Sequence, residues 1–304
     1  MQHPSPYVSV VIPTYNREHL IQAAIESVLK QTFLDYELII VDDASTDATV
    51  EFISNTYSHI PQIQLLPLAK NRGPGGARNE GILAAKGELI AFFDSDDWWE
   101  PTFLEIMVSQ LKAHPEAVLA FCNVVETDPE LNPFCCNFKP WRGYPNLSHR
   151  ILLTEDIIFT MSVVVVRRST LLDVGLISEV LTICEDKDLY LRLLKIGKFI
   201  HVSETLVKKV AHEGNLVKKQ VELIDFDQQV IDLFFQDPEN SMYRMYEAEA
   251  KSYALLRRAK AARWFHHNFW LFISLFLRAL YTSPRYILIQ FFQSLHNRFV
   301  RADA

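Results

Sequence analysis

Along the first two-thirds of the chain, apolar and polar positions alternate between two rhythms. Unbroken apolar or β-branched runs occur at Val8-Ser9-Val10-Val11-Ile12-Pro13, Tyr36 to Val41, Ile63 to Pro67 and Ile90-Ala91-Phe92-Phe93. Runs of this kind, bounded by turn formers, predict strands buried on both faces. Between them, residues 19–31, 49–58 and 77–85 carry apolar side chains at helical spacing. The order is β-α-β-α-β-α-β, with connections short enough for a parallel sheet. Further on, the pattern predicts a helix over 101–114, a strand over 117–125 and an aperiodic loop over 126–146. A strand at 162–166, helices at 169–174 and 186–195, and strands at 199–202 and 206–210 then close the sheet. After about Asn215 the pattern turns helical, over 221–235, 242–262, 264–281 and 286–299, with breaks at Pro238 and Pro284. The expected fold is α/β: a mostly parallel central sheet flanked by helices in residues 1–220, followed by a helical extension in 221–304.

Composition changes that picture little. Hydrophobic residues make up 49% of the 304 and charged residues 22%, which is ordinary for a globular chain with a sizeable core. Charge is distributed less evenly. The net charge is −7, yet residues 251–304 hold nine Lys or Arg against Asp303 alone, a local +8, which leaves −15 on the first 250 residues. The extension is therefore basic and rich in aromatics, a composition suited to a helix lying in a membrane interface. Its longest apolar run, Trp270 to Leu277, is far short of the roughly 20 residues a spanning helix needs. Packing on the preceding domain or self-association are the other uses of such a face. No nucleic-acid-binding module accompanies the basic charge. The cysteines Cys122, Cys135, Cys136 and Cys184 have no C-x-x-C spacing and read as reduced thiols of a cytosolic protein. The first residues show neither a basic nor an apolar leader region, so no signal peptide is expected.

Candidate chemistry collects where predicted strands end. Thr14-Tyr15-Asn16 follows the first strand, Asp42-Asp43 the second, and Asp94-Ser95-Asp96-Asp97 the fourth. Parallel neighbours put these clusters on one rim of the sheet, where ligands of open α/β folds bind. Three carboxylates in four positions repel one another, and a hard divalent cation with oxygen ligands is the simplest compensation. Two alternatives fail on residues. The first strand leads into Pro-Thr-Tyr-Asn rather than G-x-G-x-x-G, and Trp98 stands where a calcium-binding loop needs an oxygen ligand.

Five stretches resemble, in order, the motifs of family 2 glycosyltransferases: Pro13-Thr14-Tyr15-Asn16, Val41 to Asp47, Asn71 to Asn79, Phe93 to Asp97, and Glu185 to Leu193. The resemblance runs from about Val8 to Asn215 and implies an A-type glycosyltransferase fold that transfers sugar from a nucleotide-sugar donor with inversion. Carried over by position, it implies that Asp43 reads the nucleotide base, with Pro13, Thr14 and Tyr15 beside it. Arg78, Asp94 and Ser95 lie along the donor. Asp94 and Asp96 match the D-x-D acids that hold Mn²⁺ or Mg²⁺, with His212 as a third contributor. Asp186 matches the general base, and the adjacent Glu185 is the rival assignment. The donor is expected to be a UDP-sugar, and the acceptor a growing glycan or a lipid-linked sugar at the cytoplasmic face of the membrane. A nucleotidyltransferase making a nucleotide sugar, or a binder of nucleotide sugar without turnover, are the alternative functions.

Overall fold

The computed structural model describes residues 5–134, 147–181, 183–211, 220–264 and 267–292. In chain order the elements begin β1 (Val8–Thr14), α1 (Ile21–Leu29), β2 (Tyr36–Asp42), α2 (Thr49–Tyr57), β3 (Ile63–Pro67), α3 (Gly73–Ala84), β4 (Leu89–Phe92) and β5 (Asp97–Trp99). They continue as α4 (Phe103–Ala113), β6 (Ala117–Thr127), α5 (His149–Thr154), β7 (Val164–Arg167), α6 (Arg168–Asp173), α7 (Glu185–Leu193) and β8 (Lys198–Val210). Last come α8 (Gln220–Gln236), α9 (Glu247–Trp264) and α10 (Phe269–Thr282). The chain divides into two units, one of residues 1–147 and 157–213, the other of residues 148–156 and 214–304.

The first unit is built on an eight-stranded sheet in the order β3-β2-β1-β4-β7-β6-β8-β5. The β1–β2, β1–β4, β2–β3 and β6–β8 pairings are parallel. The β4–β7, β6–β7 and β5–β8 pairings are antiparallel, so the sheet is mixed, with its parallel half first in sequence. The apolar runs of β1, β2 and β4 are buried on both faces, as their unbroken character predicts. Pro13 is tolerated in central β1 because β4 stops opposite Val11. Phe93 N–H donates to the Val11 carbonyl at 3.0 Å, and Pro13, two residues on, faces the same side beyond the end of β4. No ladder donor is lost there.

Glycine is required where α3 crosses β1. A Cβ on Gly81 would lie 2.4 Å from Val11 Cγ1 and 3.3 Å from Val41 Cγ2. Close approach of the helix sets its N-terminal turn beside the rim where β1 and β2 end. On the far side of the sheet's centre, Trp99 is fully buried and stacks between Phe93 and Phe103 at 4.1 Å from each. Its Nε1–H donates to the Ser162 carbonyl at 2.7 Å. Trp98 is half-buried, with the Lys30 ammonium 5.0 Å above its ring.

Five local expectations change. The pair of strands expected at 199–202 and 206–210 is one strand, β8, which absorbs the polar Ser203-Glu204 by a register shift against Asn123. Asn123 Nδ2 donates to the Ser203 carbonyl at 2.6 Å and fixes the irregularity. α3 starts at Gly73 rather than Ala77, because Pro74 in its first turn is pre-set for helix. β5 and α5 are additional to the sequence pattern, and the start of the helix expected at 242 is a 3₁₀ segment, Pro238–Tyr246.

The second unit is helical. Tyr253, Leu255, Ala259, Ala262, Leu275, Ala279, Tyr286 and Ile287 form its core, where alanines let α9 and α10 approach closely. A polar network lies beside it: the Tyr253 hydroxyl donates to Asp156 Oδ1 at 2.6 Å, and Arg257 Nη1 pairs with Asp156 at 2.9 Å and Asp227 at 2.5 Å. Trp270, Leu277 and Tyr281 on α10, and Leu288, Phe291 and Phe292 after it, are exposed. Among the described residues, no helix is long and apolar enough to cross a membrane.

Candidate active site

The ends of parallel β1, β2 and β4 bring two groups of polar residues to one edge of the sheet. At the first, Thr14 pairs with Asp42 at the last step of the β1–β2 ladder, and Asp43 N–H donates to the Thr14 carbonyl at 2.8 Å. Asp42 is 1% exposed and serves the local turn. Its carboxylate accepts from Ser45 N at 2.9 Å and Ser45 Oγ at 2.5 Å and so builds the turn that leaves β2. Asn16 and Ala44 adopt left-handed backbone conformations, with φ of 53° and 63°. The two loops are cross-stitched, with Asn16 N donating to Ser45 Oγ and Thr46 N to Asn16 Oδ1.

Asp43 is 3% exposed. Its Oδ1 accepts from Arg72 N at 2.7 Å, at the start of α3, and its carbonyl accepts from Asn71 Nδ2 at 3.0 Å. Burial raises its carboxyl above the usual range, against the lowering effect of the Arg72 and Gly73 N–H groups. Tyr15, by contrast, is 44% exposed. Thr14 is buried, with its hydroxyl lacking a hydrogen-bond partner among the described residues, and Pro13 is half-buried beside it.

The second group joins motifs far apart in sequence. Arg78, on the buried face of α3, extends Nη2 to Asp94 Oδ1 at 2.7 Å and Nη1 to Glu185 Oε1 at 2.9 Å. One guanidinium thus ties the strand-end acids to the first turn of α7. Its Nε has no hydrogen-bond partner among the described residues. The expectation placed Arg78 along the donor; in the structure its two terminal nitrogens are engaged by carboxylates. Ser95 is buried and Asp96 half-buried on the same loop.

α7 opens after Cys184, whose left-handed φ of 62° turns the chain into the helix. Glu185, Asp186 and Asp188 occupy the first turn, where the helix dipole favours acids. The doublet separates into two environments. Glu185 is buried and paired with Arg78. Desolvation pushes Asp186 up to about 7, assisted by the negative charge of Glu185 and opposed by Lys187 N–H, Arg78 and Lys187. A carboxyl poised near neutrality suits a proton acceptor.

Residues beyond the expected motifs complete the site. Thr160 and Ser162, at the turn before β7, bond to both Asp97 and Asp94, and Lys209 in β8 pairs with Asp97. Burial pushes Asp97 up to about 7 against the pull of Lys209. Nothing in the pattern Phe159-Thr160-Met161-Ser162 or Val207-Lys208-Lys209-Val210 marks these residues in advance; only the sheet order brings them to β4. His212, Cys135 and Cys136 lie outside the described residues, while Cys122 is a free thiol.

A divalent cation fits the donor chemistry. Asp94 and Asp96 offer hard carboxylate oxygens two residues apart, and each Asp94 oxygen, with one hydrogen bond, keeps lone-pair capacity. Among the described residues, no group of three or more His, Cys, Asp or Glu is arranged to hold a metal. Two carboxylates completed by substrate phosphate oxygens is a usual Mg²⁺ arrangement.

The sequence profile described as "Glycosyl transferase family 2" matches residues 9–171. A chondroitin synthase of Pasteurella multocida is 32% identical over 220 residues, which is 72% of this chain and 22% of that protein. The UDP-Glc:alpha-D-GlcNAc-diphosphoundecaprenol beta-1,3-glucosyltransferase WfgD of Escherichia coli is 43% identical over 108 residues, 34% of this chain and 40% of its own length. The chain thus spans less than half the length of either relative. Among solved structures, a mannosyltransferase of Pyrobaculum calidifontis in complex with GDP-Man and Mn²⁺ superposes with a TM-score of 0.66, over 96% of this chain and 81% of that one. At 18% identity that likeness is one of fold, and it agrees with the A-type fold expected from the motifs.

Proposed function

The chain belongs to glycosyl transferase family 2, and on that premise we propose that it is a metal-dependent inverting glycosyltransferase. It takes a sugar from a nucleoside diphosphate donor, a UDP-sugar first of all, and transfers it to a hydroxyl of a glycan or lipid-linked acceptor in surface polysaccharide synthesis. The observation that carries this reading is the Arg78 bridge. It sets the acid doublet of α7 against the acids after β4, so one cleft can hold a diphosphate and activate an acceptor.

In this assignment Asp43 and Tyr15 receive the nucleotide base, with Pro13 and the Thr14 backbone beside them. Asp94 and Asp96, with His212, would hold Mn²⁺ or Mg²⁺, which when bound stabilises charge on the leaving diphosphate. Asp186 takes the proton of the acceptor hydroxyl while that oxygen bonds to the anomeric carbon. The bond from that carbon to the diphosphate oxygen breaks, and its electron pair leaves with the diphosphate. A single displacement inverts the centre. Glu185 is held by Arg78 as an electrostatic neighbour, which makes Asp186 the better base. Support for the donor class comes from the relatives: WfgD is named for UDP-Glc, and the P. calidifontis enzyme holds GDP-Man with Mn²⁺.

The C-terminal unit places the enzyme at a membrane surface in this reading. Trp270, Leu277 and Tyr281 recur on one face of α10, which also exposes Arg278, a combination that suits anionic headgroups. A diphosphoundecaprenol-linked acceptor, of the kind in the name of WfgD, would be met there. The enzymatic claim is tested by Mn²⁺-dependent transfer from a donor panel: Asp96→Ala and Asp186→Asn should each lose it, and turnover retained in both would refute the assignment. Flotation with phosphatidylglycerol vesicles tests the second claim; loss of residues 251–304 should abolish it, and equal flotation would refute it.

A further inference from the structure

The third carboxylate after β4 is more deeply buried than Asp94 and Asp96. Asp97 is 2% exposed and sits opposite Lys209 in the β5–β8 ladder, with Oδ1 4.0 Å from Lys209 Nζ. Its Oδ2 accepts from Ser162 Oγ at 2.6 Å and lies 3.2 Å from Thr160 Oγ1. The hydroxyls connect this buried pair to Asp94. Ser162 Oγ accepts the Asp94 N–H at 2.9 Å, so its own hydrogen is the one given to Asp97. Thr160 has a single hydroxyl hydrogen, and its shorter contact, 2.9 Å, is to Asp94 Oδ2. Ser162 N donates to Thr160 Oγ1 at 3.3 Å, and Trp99 Nε1 donates to the Ser162 carbonyl. Turn 160–162 is therefore anchored from both sides of the acid loop.

We propose that Thr160, anchored by Ser162 and the buried Asp97–Lys209 pair, is a positioning residue that sets the Asp94 carboxylate for its cation. Arg78 binds Asp94 Oδ1 at 2.7 Å and Thr160 binds Oδ2 at 2.9 Å, so both oxygens are held and the carboxylate plane is fixed. The role rests on the metal-dependent reading above. Partners that orient a metal-binding carboxylate typically contribute about 10- to 100-fold in metal affinity. A purely structural role for the same cluster would change melting temperature and leave metal affinity alone.

The test measures binding, apart from turnover. Free Mn²⁺ is titrated by electron paramagnetic resonance against the full chain with UDP, and separately with GDP, for wild type, Thr160→Val and Thr160→Ser. Thr160→Val keeps the shape and loses the hydroxyl; it should weaken Mn²⁺ binding about tenfold. Thr160→Ser should restore affinity to within about twofold of wild type, since the hydroxyl returns. In transfer assays the Mn²⁺ concentration for half-maximal rate should rise in Thr160→Val, with kcat at saturating Mn²⁺ nearly unchanged. Wild-type affinity in Thr160→Val, or a serine variant as weak as the valine one, overturns the proposal. A wild type that binds Mn²⁺ with neither nucleotide overturns the functional reading itself, and the proposal with it.

Discussion

Replacing Glu185 by Gln separates the two acids of the α7 doublet by their pH behaviour. Asp186 is pushed up to about 7, first by desolvation and next by the charge of Glu185. A base must be ionised to accept a proton, so kcat/KM at saturating Mn²⁺ should rise with pH. Without metal, ionisation at about 7 makes the base roughly 9% ionised at pH 6 and 91% at pH 8, a change of about tenfold that bound Mn²⁺ moves toward lower pH. An ordinary aspartate, ionising near 3.9, would give a flat profile over that range. Glu185→Gln removes the repelling charge and frees Arg78 from one of its two carboxylates, and both changes favour ionised Asp186. Its rising limb should move to lower pH while activity persists; Asp186→Asn should be inactive throughout. The assay is initial-rate release of nucleoside diphosphate from pH 5.5 to 8.5. An unmoved limb in Glu185→Gln, or an inactive Glu185→Gln beside an active Asp186→Asn, refutes the reasoning. Stability runs the opposite way. The folded carboxyl holds its proton more tightly than the unfolded one, so stability falls as pH rises from about 4 to about 7. Asp186→Asn should therefore gain melting temperature over wild type at pH 8 and not at pH 4.

Asp43→Ala should weaken nucleoside diphosphate binding by about tenfold or more, and leave the Arg72 N–H without its acceptor at about 1–3 kcal/mol; calorimetry and urea melts read the two effects separately. In Gly81→Ala, helix propensity gains at most about 1 kcal/mol. The new Cβ meets Val11 Cγ1 at 2.4 Å, and overpacking of about 1–3 kcal/mol wins because Val11 sits in a central strand. A denaturation midpoint at or above that of wild type would contradict the steric account. Trp99→Ala empties the stack between Phe93 and Phe103 and should cost about 3–5 kcal/mol in urea unfolding.

What could be read in advance follows burial. β1, β2 and β4 are covered on both faces, so their sequences are unbroken apolar runs and their ends mark the rim. β5 has three residues, one of them a buried acid, and no run of that length carries a period. Its existence depends on β8, more than a hundred residues later, which supplies the ladder partner. Gly73-Pro74-Gly75-Gly76 reads as a turn because propensity is local, yet it is the first turn of α3. The acids after β4 look alike in sequence, and the structure distinguishes them by what lies behind: Arg78 for Asp94, Lys209 for Asp97. The same holds for the tryptophans, of which Trp99 is a core pillar and Trp98 a half-buried shelf under Lys30.

In the metal-dependent reading, the charge balance of the site gives the cation its role. Asp94, Asp96, Asp97, Glu185 and Asp186 contribute five carboxylates to one sheet edge. Arg78 answers Asp94 and Glu185, and Lys209 answers Asp97. With Lys187, which acts on Asp186, three cations stand against five acids, and a diphosphate would add at least two negative charges beside them. Unit charges about 4 Å apart interact by about 4 kcal/mol near a protein surface, so a bare diphosphate would meet net repulsion. In the proposed reading, a divalent ion held by Asp94 and Asp96 would supply the positive charge that offsets it. Desolvation raises Asp186 first and the charge of Glu185 adds to it, so the negative charge that would favour a cation also helps keep the base near neutrality. Donor binding and base ionisation are then coupled. Mn²⁺ should draw the rising limb of the pH profile toward lower pH, and removing it should both weaken the donor and move the limb upward.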